Sequence, residues 1–443
     1  MKNSNAKKRS MGNPSGFRDL LPPEAMFKRW LIETITGVYQ KYGFLPIETP
    51  LVEFHETLAG EVTDFNLYKV NPSKERQVGT ASELALRFDQ TVPLARFVVD
   101  NTGKITLPFK RYVYGPVFRG ESPQAGRYRQ FDQFDVDIVG SSNITSDIEI
   151  LLCMRDTMRA IVGDAKFVIR TNTRKLLNCL PSLFGFSESD LRAVLIELDK
   201  RDKVSTESLI SSLVDIGLTQ ETAKNLSDFC NITGNPADVL TKIKTVCGDI
   251  PEAAEAISDL QATADTLSAS VAPEILFDMS IIRGLGYYTG MVFETKLVDA
   301  PQFGSVYSGG RYDGLVASFG VQSLPAVGAS VGVDRLITAL QSLDFQIPRE
   351  GKKVIVLIQD PTVASYAFRV ANTLRTKNIV CEVYTGNKKK LGEQFQYADT
   401  LKYDYTVVVG KQEMETEVVN IKNQQTREQH NAVSLQSLSS FFN

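Results

Sequence analysis

The chain has 443 residues, 43% of them hydrophobic and 23% charged, and a formal net charge of −3. That is the composition of an ordinary soluble globular protein with length for two or three domains, and no apolar run reaches the ~18 residues needed to span a bilayer. Five cysteines without a CxxC pair argue against a disulfide framework and a zinc site, and His55 and His430 are too few for a histidine-based metal centre or general-base cluster.

The first residues, MKNSNAKKRSMGNPSG, have no apolar secretory segment and read as a disordered basic arm over 1–15, or as an organelle-targeting remnant. With the cysteine usage, a reducing, cytoplasmic location fits best. Pro22 and Pro23 open a helix with Phe27, Leu31, Ile35 and Val38 on its apolar face, and Gly43 stops it. LPIETPLVEF is then an extended, proline-bounded segment. In LALRFDQTVPLARFVVDN, 84–101, a short strand precedes a helix after Pro93. Asp89 and Thr91 at the turn either cap that helix or point into a cleft.

The stretch 109–140, FKRYVYGPVFRGESPQAGRYRQFDQFDVDIVG, reads as two long strands joined by a polar loop, 120–128. Alternation puts Arg129, Phe131, Gln133, Asp135 and Asp137 on one face and Phe134, Val136 and Ile138 on the other. A wetted face needs no such ordered set of cation, aromatic, amide and carboxylates. With Arg119 and Glu121 at the end of the preceding strand, the residue types point to a nucleotide site.

SDIEILLCMRDTMRAIV reads as a helix and FVIRTNTRKLLNCL as a strand followed by a helix. Between about 186 and 264 the strand signal disappears into a helical insertion, with Ser187 and Ser205 as caps and Pro236 and Pro251 as further helix starts. Residues 185–265 hold seven Lys or Arg against fifteen Asp or Glu, a poor electrostatic footprint for RNA, so a packing or lid module stays open beside an RNA contact. Strands return from about 275. Gly284, Gly286, Gly290, Gly309 and Gly310 permit tight turns or close approach to a ligand, and Arg283 and Arg311 beside them favour the ligand.

From Lys352 the pattern becomes a separate α/β unit, 351–443, with strands KVIVLIQ, IVCEVYT and YTVVVG, an edge strand EVVNIKN and a closing helix SLQSLSSFF. It holds twelve Lys or Arg against nine Asp or Glu. Lys388, Lys389 and Lys390 beside Tyr397 are either an RNA-facing loop or a solvated run.

FRGESPQAGRYRQF followed by QFDVDIVG closely resembles the second signature motif of class II aminoacyl-tRNA synthetases in the form carried by the histidine–tRNA ligase family. RGLGYYTGMVFE at 283–294 and SGGRYDGLV at 308–316 resemble that family's two histidine-specific motifs, and the helix and strand ending near Pro50 resemble the first class II motif. The resemblance covers nearly the whole chain after the arm. It implies an α+β catalytic domain, 16–345, with an antiparallel sheet flanked by helices, the insertion at 186–264 and a C-terminal three-layer α/β anticodon-binding domain. It also implies a homodimer that uses ATP with Mg²⁺ carried on its phosphates, L-histidine and tRNA(His), with no membrane partner and no metal site of its own.

By the same resemblance, Arg119 holds the α-phosphate, Arg335 and Arg127 the outer phosphates, and Phe131 stacks on adenine with Glu121 near its amino group. Arg283 is the family's catalytic arginine. Asp89, Gln90, Thr91 and Gln133 take the backbone end of histidine, Asp137, Tyr287 and Tyr288 lie on or beside the ring, and Tyr312 closes the pocket. Three fixed cations suit the negative charge that builds on the phosphoryl oxygens during activation. One position departs: Gly286 stands where the family more often has aspartate before the paired tyrosines. That keeps open a paralogue that senses histidine or uncharged tRNA, or regulates histidine biosynthesis.

Overall fold

The computed structural model describes residues 12–58, 67–70, 83–123, 126–164, 166–201, 204–248, 250–282, 288–314, 324–348, 351–388 and 390–442. The chain divides into two compact units, with the boundary between Phe345 and Gln346.

Among the described residues, twelve strands belong to the first unit: β1 Leu45–Pro46, β2 Val52–Phe54, β3 Lys69–Val70, β4 Leu84–Leu86, β5 Phe109–Phe118, β6 Gln130–Val139, β7 Phe167–Thr173, β8 Thr233–Gly234, β9 Ile275–Asp278, β10 Met291–Leu297, β11 Tyr307–Arg311 and β12 Ala326–Gly332. Nine of them form one sheet in the order β1-β5-β6-β12-β11-β10-β7-β9-β8, and β2, β4 and β3 make a small sheet of their own. Among the described residues, the β1–β5 and β7–β9 pairings are the parallel ones in the large sheet. The hairpin β5–β6 pairs Phe118 with Gln130 and Arg111 with Asp137, which carries the alternation read from sequence straight into the sheet.

The apolar face of that sheet is the core. Phe134, Val136 and Ile138 are buried in it, as are Leu31, Ile35 and Tyr39 of the helix Pro22–Lys41. The Tyr39 and Phe134 rings cross edge-on at 5.1 Å, and the Tyr39 hydroxyl meets that of Tyr307 at 2.7 Å, so these two buried hydroxyls satisfy each other. Each such fully buried aromatic or aliphatic side chain stabilises by roughly 1.5–3 kcal/mol. The opposite face, Gln133, Asp135 and Asp137, is left as a polar floor.

Local signals set the element ends. Glu24 accepts from the Leu21 amide at 3.3 Å to start the first helix, and Gly43 ends it at φ +78°. The helix expected after Pro93 begins at Thr91, with the proline inside its first turn. In the insertion, Ser187 and Ser205 accept from downstream amides as expected, at 3.4 and 3.2 Å, and Thr219 and Asn235 do the same for two further helices. The two-residue β8 lies inside this helical stretch and extends the sheet beyond β9, too short to leave a period in the sequence.

The second unit is a five-stranded sheet with apolar clusters on both faces, one gathered by the helix Ala364–Arg375 and the other by Leu391–Thr400. Two expectations for the tail change, and one helix is added. Val418–Asn423 is an inner strand, because Gln429–Ser434 pairs outside it as the true edge. A short helix Lys411–Thr416 precedes it, and the closing helix is only a 3-10 turn, Leu438–Phe441. Gln429–Ser434 carries little apolar alternation because only Val433 on it is buried.

Candidate active site

The polar floor is built by register. Across β6 and its neighbours, Gln133 lies between Gly115 and Gly332, Asp135 between Val113 and Ser330, and Asp137 between Arg111 and Gly328. The glycines keep the floor open: a methyl on Gly310 would stand 2.8 Å from the Tyr288 ring, so that ring rests directly on backbone.

At one end, Asp137 Oδ2 lies 2.6 Å from Arg111 Nη2, an ion-pair contact rather than a well-angled hydrogen bond, and Arg111 is wholly buried. The Tyr312 hydroxyl donates to Asp137 Oδ1. Burial raises Asp137 from the usual carboxylate range, against the pull of Arg111 and Tyr312. Asp135 is also buried; burial first, then the neighbouring Asp137 charge, outweighs Arg111 and pushes its carboxyl up to about 7. Gln133 donates to Ser330 Oγ at 3.1 Å and Gln90 to the Gly115 carbonyl at 3.2 Å. Gln90 Oε1, Gln133 Oε1 and Asp135 Oδ1 are buried acceptors with no hydrogen-bond partner among the described residues. Buried polar atoms are ordinarily satisfied, so a row of open acceptors marks a place for a ligand that donates.

At the other end of β6 stands Arg119. Its Nε donates to the Phe88 carbonyl at 3.1 Å, its guanidinium lies 5.1 Å from the centre of the Phe131 ring, and burial lowers its pKa. Asp89 faces it. The Asp89 carboxylate accepts from the Val92 amide at 3.1 Å, so it does cap the helix, and burial still lifts it to about 6. The capping reading of that turn therefore holds.

Two sequence expectations, for Arg311 and Arg129, look different in the structure. Arg311, expected to face a ligand, is a structural cation: it forms a buried pair with Asp147, with Nε 3.1 Å from the carboxylate. Arg129 precedes β6 and turns away from the floor to the carbonyls of Glu121 and Ser15. Glu121 and Arg127 are ion-paired with each other. Arg335 donates to the Ser305 carbonyl at 2.9 Å. In the tail, Lys388 is paired with Glu393, and Tyr397 donates to Glu382 at 3.3 Å. Arg283, Gly284, Gly286, Tyr287 and Lys389 lie outside the described residues.

Arg111, Asp135 and Ser330 were not singled out as site residues from sequence. A signal existed for Arg111: once the hairpin pairs residues whose numbers sum alike about the loop, the lone arginine on the inward face of β5 falls opposite Asp137.

Gly328 gives a direct test of this packing. A methyl there would stand 1.9 Å from Asp137 Oδ1 and 2.7 Å from the Val136 carbonyl. Because Arg111 and Tyr312 hold that carboxylate, it has nowhere to yield. Gly328→Ala should destabilise the first unit by about 1–3 kcal/mol, read from the urea midpoint. A variant as stable as the parent would show that the carboxylate is not clamped.

What the arrangement can do chemically follows. A half-buried cation beside an aromatic ring suits the phosphates and base of a nucleotide, and open acceptors one or two pleats away suit ammonium and ring N–H donors. Residues 16–336 match the family model described as histidyl-tRNA synthetase, and residues 353–443 the one described as anticodon binding domain. Among curated proteins, the chain is 39% identical over 433 residues to a histidine–tRNA ligase of Wolinella succinogenes, covering 96% of each, and 38% identical over 421 residues to one of Rhodopirellula baltica, covering 93% of each. The crystal structure of histidyl-tRNA synthetase from Nostoc sp. PCC 7120 matches with a TM-score of 0.88 at 31% identity, over 98% of this chain and 99% of that one.

Proposed function

The chain belongs to the histidyl-tRNA synthetase family, and from that premise we propose that it activates L-histidine with ATP and transfers the histidyl group to the 3′ end of tRNA(His). The observation that carries this reading is the row of open buried acceptors, Gln90, Gln133 and Asp135, running from Arg119 towards Asp137. An amino acid whose carboxylate lies at Arg119 would present its ammonium group and ring N–H atoms to that row.

In this reading the histidine carboxylate attacks the α-phosphorus of ATP and expels pyrophosphate. Arg119, held by the Phe88 carbonyl, faces the α-phosphate and stabilises its growing charge, and Phe131 stacks on adenine. Arg283 adds a second cation at the same phosphate. Arg335 and Arg127 take the outer phosphates, which requires Arg127 to leave Glu121, freeing that carboxylate for the adenine amino group. Mg²⁺ carried on the phosphates supplies charge neutralisation when bound. Asp89, Gln90, Thr91 and Gln133 hold the ammonium end, Asp137, Tyr287 and Tyr288 flank the ring, and Tyr312, already bonded to Asp137, closes over it.

The unit after Phe345 matches an anticodon-binding model, which supports tRNA(His) as the partner. A homodimer through the first motif is supported by exposed apolar side chains clustered there and on the loop beside it: Leu45, Leu51, Val52, Phe54 and Leu107. An active monomer in sedimentation would overturn that part. No described helix is long and apolar enough to cross a membrane, and five free buried cysteines suit a reducing cytosol. The inactive-paralogue alternative loses ground, because relatives alike over nearly their whole length carry the name of the ligase.

The test is ATP–pyrophosphate exchange on the purified chain with each amino acid in turn. Exchange with histidine alone is the expected result, and exchange with none, or with another amino acid, overturns the reading.

A further inference from the structure

The Asp135 carboxyl is one of the open acceptors in the reading above, with no particular ligand atom assigned to it. It sits between Gln133 and Asp137 on β6 and is 3% exposed. Ser330 on the adjoining strand accepts from Gln133 and bonds Asp135 in turn, which holds one end of the carboxyl in place. The other end, Oδ1, is buried without a hydrogen-bond partner among the described residues. Leaving such an atom unmet is costly, so the position makes sense when a ligand fills it. Asp137 differs in degree: Tyr312 bonds its Oδ1, and its Oδ2, though without an angled hydrogen bond, lies 2.6 Å from the Arg111 guanidinium.

The charges facing Asp135 come from several elements. Arg111 on β5, Arg87 after β4 and Arg119 after β5 are the cations; Asp137 and Asp89 are the anions; Tyr288 is the neighbouring phenol. Tyr39 and Tyr307 lie beyond the opposite face of the sheet. Arg87 is committed to the Pro116 and Thr49 carbonyls, and Arg111 is matched by Asp137. An ionised Asp135 therefore shares Arg111 with Asp137, and burial pushes its carboxyl up to about 7, close to the ~6.5 of an imidazole.

On the premise that histidine is the amino acid activated, we propose that Asp135 is a specificity-determining residue: its Oδ1 takes a ring N–H of the bound imidazole, and the two groups hold one proton between them. Carboxylate with imidazolium and acid with neutral imidazole are the same proton count, and both leave the buried cluster without a new net charge. Amino acids of similar size that bear an amide or a hydroxyl cannot share a proton in this way, so the pocket rejects them by chemistry as well as by shape.

The proton count makes the proposal measurable. Well above pH 7 the free carboxyl and free ring hold no proton between them, so binding must take one up. Well below pH 6.5 they hold two, so binding must release one. Titrating histidine into the full chain by calorimetry, in two buffers of different ionisation enthalpy, reads this directly. At about pH 8 the parent should take up close to one proton, and at about pH 5.5 it should release close to one. Asp135→Asn should lose the uptake at about pH 8 and bind histidine roughly 10- to 100-fold more weakly near pH 7, with its KM for ATP unchanged.

Histidine binding by the parent without proton uptake at about pH 8 overturns the proposal whatever the variant does, and so does uptake that survives in Asp135→Asn. Failure of the parent to bind histidine would instead overturn the functional reading beneath it, so the two failures are told apart.

Discussion

Arg119→Ala is expected to slow histidine-dependent ATP–pyrophosphate exchange by about 10²- to 10³-fold, the loss typical of removing one preorganised donor from a developing phosphoryl charge. The structure explains why this arginine is prepared for that work. Its Nε is anchored on the Phe88 carbonyl, so the fork needs little reordering when the phosphate arrives. Burial disfavours its charge, and a phosphate beside it would offset that penalty. The guanidinium also packs against Phe131, which the same reading assigns to adenine. Alanine should therefore lower kcat more than it raises the KM for histidine, since the lost interaction is strongest in the transition state. Exchange within threefold of the parent would remove Arg119 from the chemistry.

Asp137→Ala is expected to cost stability as well as histidine binding. The mutation strands Arg111, wholly buried, without its counter-charge, and breaking a buried pair from one side typically destabilises by about 3–5 kcal/mol. A loss of activity in that variant would by itself say nothing about ring recognition. A paired replacement separates the two roles. Arg111→Met with Asp137→Leu removes both charges at similar volume and should recover most of the stability, judged by the urea midpoint, because apolar packing often replaces a buried pair at little cost. It should not recover histidine activation. If the paired variant activates histidine with a KM near the parent's, Asp137 only neutralises Arg111 and the ring is read elsewhere.

How far these conclusions were legible beforehand depended on how local the cause was. The hairpin 109–140 was readable because a pleated strand alternates with a period of two, and within β5 and β6 the structure keeps that pattern; Arg129, just before β6, departs from it. Helix starts at Pro22, Ser187 and Ser205 were readable for the same reason: a cap acts within one turn. Arg311 misled because a cation beside glycines looks alike whether a ligand or a buried carboxylate awaits it. Asp147, 164 residues earlier in the chain, decided the matter. The edge strand Gln429–Ser434 was missed since an edge owes its pairing to a neighbour's backbone more than to its own side chains.

The sequence by itself determined the family, the two-part architecture and the alternating face on which the site is built, because these depend on motif spacing and on periods that a few neighbouring residues set. Only the tertiary structure decided which polar groups are already satisfied. It matched Asp137 with Arg111 and Tyr312, joined Gln133 to Asp135 through Ser330, and left one carboxyl oxygen of Asp135 open. The reason is physical: satisfaction of a buried charge is a property of the partners that distant segments bring within about 3 Å, and no residue carries that information in its own identity.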